Sequence, residues 1–277
     1  MRIRCLLLAL FALTGCQNGH YEARDGYAVD KTHPALGARP RVKVVVLHYT
    51  AEDLPSSLAT LTDREVSAHY LIPAHPSRWR GQPAVWQLVP ESQLAWHAGP
   101  SFWRGATRLN DTSIGIELVN PGYRRTPGGL VWQPYTPQQI AALTPLLRDI
   151  VQRYGILPVN IVGHSDVAPQ RKQDPGPLFP WQPLASLGLG AWPAAERVAA
   201  LRQGIRDDDP ALTQRLLNAL ARYGYGYGLP ETLTARQQQK VIAAFQMHFR
   251  PADYRGIADA ETLAIAEALL EKYGEAK

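Results

Sequence analysis

Cysteine is almost missing: the 277 residues hold two, Cys5 inside an apolar opening and Cys16 just beyond it. A mature chain cut before Cys16 would therefore have no pair with which to form an internal disulfide. Long hydrophobic runs are missing too, since the stretch from Leu6 to Leu13 is too short to span a bilayer. No cluster of lysine and arginine with interleaved aromatics is present, which argues against nucleic-acid binding. Neither an internal repeat nor a heptad pattern long enough for a coiled coil occurs. What remains, at 45% hydrophobic and 19% charged with seven tryptophans, has the composition of a folded protein rather than a disordered one. The length leaves room for one substantial domain and a smaller second one.

The opening has the form of an export signal: Arg2 and Arg4 precede an apolar core of signal-peptide length. Leu13-Thr14-Gly15-Cys16 then resembles the bacterial lipobox, in which the peptidase cuts before the cysteine and that cysteine is acylated. The alternative is an ordinary signal peptide, or a short anchor, with an incidental cysteine. Several acyl chains on Cys16 would hold the protein stably at a membrane surface, where one chain binds only marginally. Gln17 in place of aspartate resembles lipoproteins sorted to the outer membrane. Loss of Arg2 and Arg4 lowers the formal charge from +5 to +3, mildly favourable to an anionic polymer such as the cell wall. The next residues, 16–40, are polar and rich in glycine and proline, and read as a lipidated tether.

Beyond it, Val42 to Leu47 reads as a strand buried on both faces that ends at His48. Val66 to Pro73 and Ala84 to Val89 have strand composition. Ser113 to Asn120 (SIGIELVN) alternates so that Ile114, Ile116 and Leu118 face one way and Gly115 and Glu117 the other. Glu117 is either an edge charge pointing to water or a functional carboxylate, and the run is too apolar for an edge. Thr136-Pro137-Gln138-Gln139 reads as a capped helix start with Gln139 completing a capping box. Its apolar stripe runs through Ile140, Leu143, Leu147, Ile150 and Tyr154 to Gly155, with a kink or break expected at Pro145. Val159 to Val162 is the next strand and delivers His164. Strands alternating with a long helix indicate an α/β fold. After Trp192-Pro193, helices are expected over 210–223, 234–250 and 259–273, forming a small unit with a modest core of its own.

Of the eight histidines, His20, His33 and His248 read as surface residues, His75 as a loop residue and His69 as structural. Trp96 and His97 sit among small and aromatic residues, where His97 either lines a pocket or simply packs. His48, His164 and Asp174 lie at strand ends or in a tight loop, where α/β sheets carry their sites. Two imidazoles and a carboxylate are a ligand set for zinc that keeps a fourth position open for water. Glu117 would then serve as general base and acid. Lys172, two residues before Asp174, would stabilise an oxyanion.

In order, VVVLHYT, VSAHYLI, AWHAG, NDTSIGIELVN and GHSDVAPQRKQDPGPLFPW resemble the zinc-dependent N-acetylmuramoyl-L-alanine amidases, the family that includes phage lysozyme-type amidases and the peptidoglycan recognition proteins. The resemblance covers roughly Arg41 to Trp192 and implies a mixed central sheet flanked by helices. It implies zinc at His48, His164 and Asp174, catalysis by Glu117 and Lys172, and a peptidoglycan or muropeptide substrate, for which Trp96 and His97 are the candidate binding residues. Within the family the chain is most similar to lipoprotein amidases of the Gram-negative outer membrane, facing the periplasm. More loosely, Phe245-Gln246, Phe249, Gly256, Asp259 and Thr262 resemble the three-helix peptidoglycan-binding domain. The expected organisation is a signal peptide over 1–15, a tether over 16–40, an amidase domain over 41–193 and a helical, peptidoglycan-binding-like domain over 194–277. No feature calls for an obligate protein partner. A non-catalytic peptidoglycan receptor and a zinc peptidase acting on the stem peptide are the rival readings.

Overall fold

The computed structural model describes residues 20–226 and 232–276. The apolar opening, Cys5 and Cys16 lie outside the described residues, as does the end of the glycine-rich turn after Gly226. The chain forms two compact units, up to Arg39 and from Pro40 on. In the first, Tyr21–Arg24 pairs antiparallel with Tyr27–Asp30. The turn is Asp25-Gly26, with Gly26 at φ 78°, a two-residue hairpin signal that polar composition obscured. Part of the expected tether is therefore a hairpin.

The second unit is built on five strands: β1 (Val44–Tyr49), β2 (Tyr70–Ile72), β3 (Trp86–Gln87), β4 (Ser113–Leu118) and β5 (Ile161–Gly163). Their order is β5-β1-β4-β2-β3. All neighbours are parallel except β2 and β3, so the sheet is mixed. The strand bearing Glu117 is the middle one, not an edge. β1 is buried along its length up to His48, as a parallel strand covered on both faces requires.

On one face, Val45, Leu47, Ile114, Ile116 and Leu118 join Leu143, Leu147 and Ile150 of a long helix in a single cluster. Each such side chain taken fully out of water contributes roughly 1.5–3 kcal/mol. In chain order the helices are α1 (Leu54–Leu61), α2 (Pro137–Tyr154), α3 (His164–Val167) and α4 (Trp181–Ser186), then α5 (Ala195–Arg202), α6 (Leu212–Tyr223), α7 (Ala235–Phe249) and α8 (Ala260–Tyr273). Among the described residues no helix is long and apolar enough to cross a membrane. At the start of α2 the Thr136 hydroxyl accepts from the Gln139 amide at 3.1 Å. The Gln139 side chain does not return to close the box; it donates to the carbonyls of Ile72 and Val119, at 3.0 Å each, and ties the helix to two strand ends. α2 runs through Pro145 without a break. Pro145 and Ala141 are both on the exposed side, where water can take the carbonyl that proline leaves unbonded.

The opposite face of the sheet does not meet a separate module. Val44, Val46, Val162 and Val167 share one continuous cluster with Leu216, Leu220, Phe245, Leu263 and Leu269 of α6, α7 and α8. The helices after Pro193 thus have no core apart from the sheet. Within them Gln246 is a buried staple: its amide donates to the Ile257 carbonyl and the Thr262 hydroxyl while its oxygen accepts from the Gly256 amide. Asp259 caps α8 by accepting from the Thr262 amide at 2.8 Å.

Candidate active site

Register brings the site together. β1 and β4 pair so that His48 stands beside Glu117, and β5 pairs with β1 so that Gly163 stands beside Leu47. His164, one residue on, arrives level with His48. All three residues sit at the carboxyl ends of parallel strands, the edge where α/β sheets place ligands. The loop carrying Asp174 is folded back against this edge: the Ser165 amide donates to the Asp174 carbonyl at 2.8 Å, and the Tyr135 hydroxyl to the Pro175 carbonyl at 2.7 Å. Only glycine fits at 163, because a Cβ there would lie 2.5 Å from Pro175 Cδ.

The outcome is three converging ligand atoms. His48 Nδ1 lies 3.0 Å from His164 Nδ1 and 2.9 Å from Asp174 Oδ2, and the remaining side of the triangle is 3.1 Å. All three side chains are buried. His164 Nε2 is 3.1 Å from the Ala98 carbonyl, toward which the Arg171 guanidinium also converges. His48 Nε2 is 3.1 Å from His97 Nδ1. Burial, then the neighbouring His164, lowers the His48 pKa to about 4. Burial and the surrounding imidazoles hold His97 well below its ordinary value. Burial alone would raise Asp174, but the charges and hydrogen bonds of His164 and His48 hold it far below the carboxylate range. With a ring hydrogen on Nδ1 these groups hydrogen-bond to one another, and with Nδ1 bare they present three ligand atoms to one point. Bonds of about 2.0–2.2 Å from nitrogen and oxygen suit zinc, so the donor set fits a metal ion.

Glu117 borders the centre. Its Oε2 is buried with no hydrogen-bond partner among the described residues. Burial first, and the Asp174 carboxylate second, push its pKa up to about 8, while the Lys172 ammonium pulls the other way. These residues line a cavity of about 490 Å³ that Lys172 and Trp96 also face. Both Trp96, 57% exposed, and His97, which is buried, line this cavity. α1 contributes Thr60 and Leu61 to the lining, and α7 contributes Lys240, Ala243 and Met247. Nothing local marked the α7 residues, since they lie far along the chain from every motif. Lys240 also donates its ammonium to the Gln170 carbonyl at 2.5 Å.

His248 is a correction. It was expected at the surface, yet it is buried between Trp181 and Phe249, at ring-centroid distances of 3.7 and 3.9 Å. Its Nδ1 lies 2.7 Å from the buried Asp166 carboxylate. Asp166 also accepts from the Gly163 amide and the Tyr225 hydroxyl. His69 is structural as expected: its Nδ1 accepts from the Gly115 amide and its Nε2 bonds the Gln93 carbonyl.

Residues 38–177 match the family described as N-acetylmuramoyl-L-alanine amidase, Amidase_2. The chain belongs to the N-acetylmuramoyl-L-alanine amidases. It is 58% identical over 272 residues, 98% of each chain, to N-acetylmuramoyl-L-alanine amidase AmiD of Escherichia coli K12. The solved structure of that AmiD with anhydro-N-acetylmuramic acid-L-Ala-D-γ-Glu-L-Lys superposes with a TM-score of 0.87, covering 92% of this chain and 99% of that one. AmpDH3 of Pseudomonas aeruginosa, in complex with an anhydromuramic pentapeptide, is 43% identical with a TM-score of 0.79, over 87% and 96% of the two chains. The amidase therefore has the mixed, helix-flanked sheet of its family, and the bond it hydrolyses joins N-acetylmuramic acid to L-alanine.

Proposed function

We propose that this amidase is zinc-dependent, holding the ion with His48, His164 and Asp174, and that Glu117 and Lys172 carry the proton transfer and the charge stabilisation. The observation that carries the reading is the triangle of three ligand atoms, each within 3.1 Å of the others, beside a buried and unpartnered carboxyl oxygen of Glu117. Zinc, when bound, supplies positive charge that acidifies a water and polarises the scissile carbonyl. Glu117 takes the proton of the attacking water and returns it to the departing nitrogen of L-alanine. The Lys172 ammonium faces the same cavity and offsets negative charge on the carbonyl oxygen. Trp96, exposed in that cavity, packs against the substrate beside His97.

The two relatives were solved with anhydromuramyl peptides, which supports such muropeptides, alongside peptidoglycan itself, as substrates of this chain. The leader and Cys16 support a lipoprotein of the outer membrane facing the periplasm, with residues 16–40 as tether, 41–193 as amidase domain and 194–277 as helical unit.

The test is mass spectrometry of muropeptides incubated with protein beginning at Gln17, with chelator and with zinc restored. Free stem peptide beside peptide-free sugar, abolished by chelation and recovered with zinc, is the expected result. Muropeptides that are bound but uncut would instead support a receptor, and shorter peptides with the sugar-to-alanine amide intact would support a peptidase. Glu117→Ala should keep its metal and lose turnover by about 10²–10⁴-fold, while His164→Ala should lose metal and turnover together.

A further inference from the structure

Two of the recognisable motifs, Trp96-His97-Ala98-Gly99 and the opening of the Ser113 strand, contain residues that neither ligate nor transfer protons in the scheme above. They form a hydrogen-bonded chain. The Ser113 hydroxyl donates to the Leu109 carbonyl at 2.6 Å. Ser113 Oγ lies 3.1 Å from His97 Nε2, and His97 Nδ1 lies 3.1 Å from His48 Nε2. The far nitrogen of His48 is the one aimed at His164 and Asp174.

A carbonyl oxygen only accepts, and with one hydrogen on each imidazole this fixes the direction of every bond in the chain. Ser113 has one hydroxyl hydrogen and spends it on Leu109, so its oxygen accepts from His97 Nε2–H. His97 is then bare at Nδ1 and accepts from His48 Nε2–H. His48 is in turn bare at Nδ1, the atom facing the centre. Reversing the order would set the Ser113 oxygen, without its hydrogen, 2.6 Å from another acceptor.

The surroundings hold His97 in place for this. Asn110 Oδ1 accepts from the backbone amides of His97 and Ala98, at 3.2 and 2.8 Å. Gly115 clears space for the ring: a Cβ there would lie 2.4 Å from His97 Cγ. Motif positions 97, 110, 113 and 115 thereby acquire one physical purpose.

We infer that Ser113 and His97 are positioning residues which, by relaying hydrogen-bond direction from the Leu109 carbonyl, hold His48 in the Nε2–H tautomer and leave Nδ1 free as a ligand atom. The inference deepens the zinc reading and rests on it for its consequence. Partners of this kind, bonded to the outer nitrogen of a ligating histidine, typically change metal affinity by 10–100-fold when removed.

The experiment pairs two measurements on wild type, His97→Phe and Ser113→Ala. One is nitrogen-15 NMR of the metal-free proteins, which reads the His48 tautomer directly. The other is zinc affinity by competition with a chelator. Wild type should carry the hydrogen on Nε2. His97→Phe should move it to Nδ1, where Asp174 accepts it, and should weaken zinc about 10–100-fold. Ser113→Ala should shift the tautomer the same way with a smaller loss, and it carries the comparison alone should His97→Phe fail to fold. A wild-type His48 protonated at Nδ1, or variants that bind zinc as tightly as wild type, would overturn the relay. A wild type that binds no zinc would instead remove the metal reading, leaving the tautomer spectra to decide the relay.

Discussion

Glu117 combines two demands that conflict in one side chain. As the proposed general base it must ionise, yet burial and the Asp174 carboxylate push its pKa up to about 8 when no cation compensates. A divalent ion among the three ligand atoms reverses that bias, since a nearby positive charge favours the ionised form. The chelated protein should therefore lose stability as pH rises. An unfolded glutamate ionises near pH 4.5 and the folded one near 8, so between these values the native state holds a proton that the unfolded state has released. Glu117→Gln lacks this slope: in chelator it should match wild type near pH 4 and exceed it by about 2–4 kcal/mol at pH 8. Denaturant titrations at the two pH values measure it, and an equal gain at both would show that the carboxyl is not buried as argued. Glu117 was legible as a polar residue in an apolar strand, and His48 and His164 through their places at strand ends. His248 was not, because its partner Asp166 is 82 residues away and α7 offers no local sign of which face meets the sheet.

Among elements, α2 was readable almost whole: cap, apolar stripe and terminal glycine are all local. The short strands were not. Val66 to Pro73 and Ala84 to Val89 contract to β2 and β3, which pair only through Tyr70 with Gln87 and Leu71 with Trp86. Strand propensity does not report where a partner ends. What secures this corner is a side chain in the loop after β3. Glu91 accepts from Tyr70 of β2 and from Arg153 and Tyr154 of α2. The bidentate Arg153 guanidinium, with the two hydroxyls, lowers its pKa to about 2 against the cost of burial. Its contribution is present above pH 4.5 and disappears as pH falls from 4.5 through 2. Glu91→Gln should cost about 1–2 kcal/mol at pH 7, after allowance for solvent screening on the Arg153 side, and progressively less as pH falls through about 2. Acid-limb unfolding curves of the two proteins should converge; curves that stay parallel would remove Glu91 from the acid response.

Across the whole of the second unit, the sequence and the packing divide the chain differently. Composition changes after Pro193, and the core runs on across that point, because Val44, Val46 and Val162 of the sheet and Leu220, Phe245 and Leu269 of the helices share one cluster. The Asp166–His248 pair ties α7 to α3, the turn that begins with His164. α7 also lends Lys240 and Met247 to the cavity wall. Helices that look like an appendage in the sequence thus support the back of the His48–His164–Asp174 cluster and line the cavity in front of it. His248→Ala leaves Asp166 buried with one partner fewer and opens space between Trp181 and Phe249, together about 3–5 kcal/mol. With a melting shift of about 2–4 °C per kcal/mol for domains of this size, the amidase should melt roughly 6–20 °C lower. Because the core is continuous, residues 40–277 should unfold in one calorimetric transition that moves as a whole. Two transitions, of which the substitution moves only one, would mean that the helices and the sheet fold apart and that α7 is not what holds the His164 turn in place.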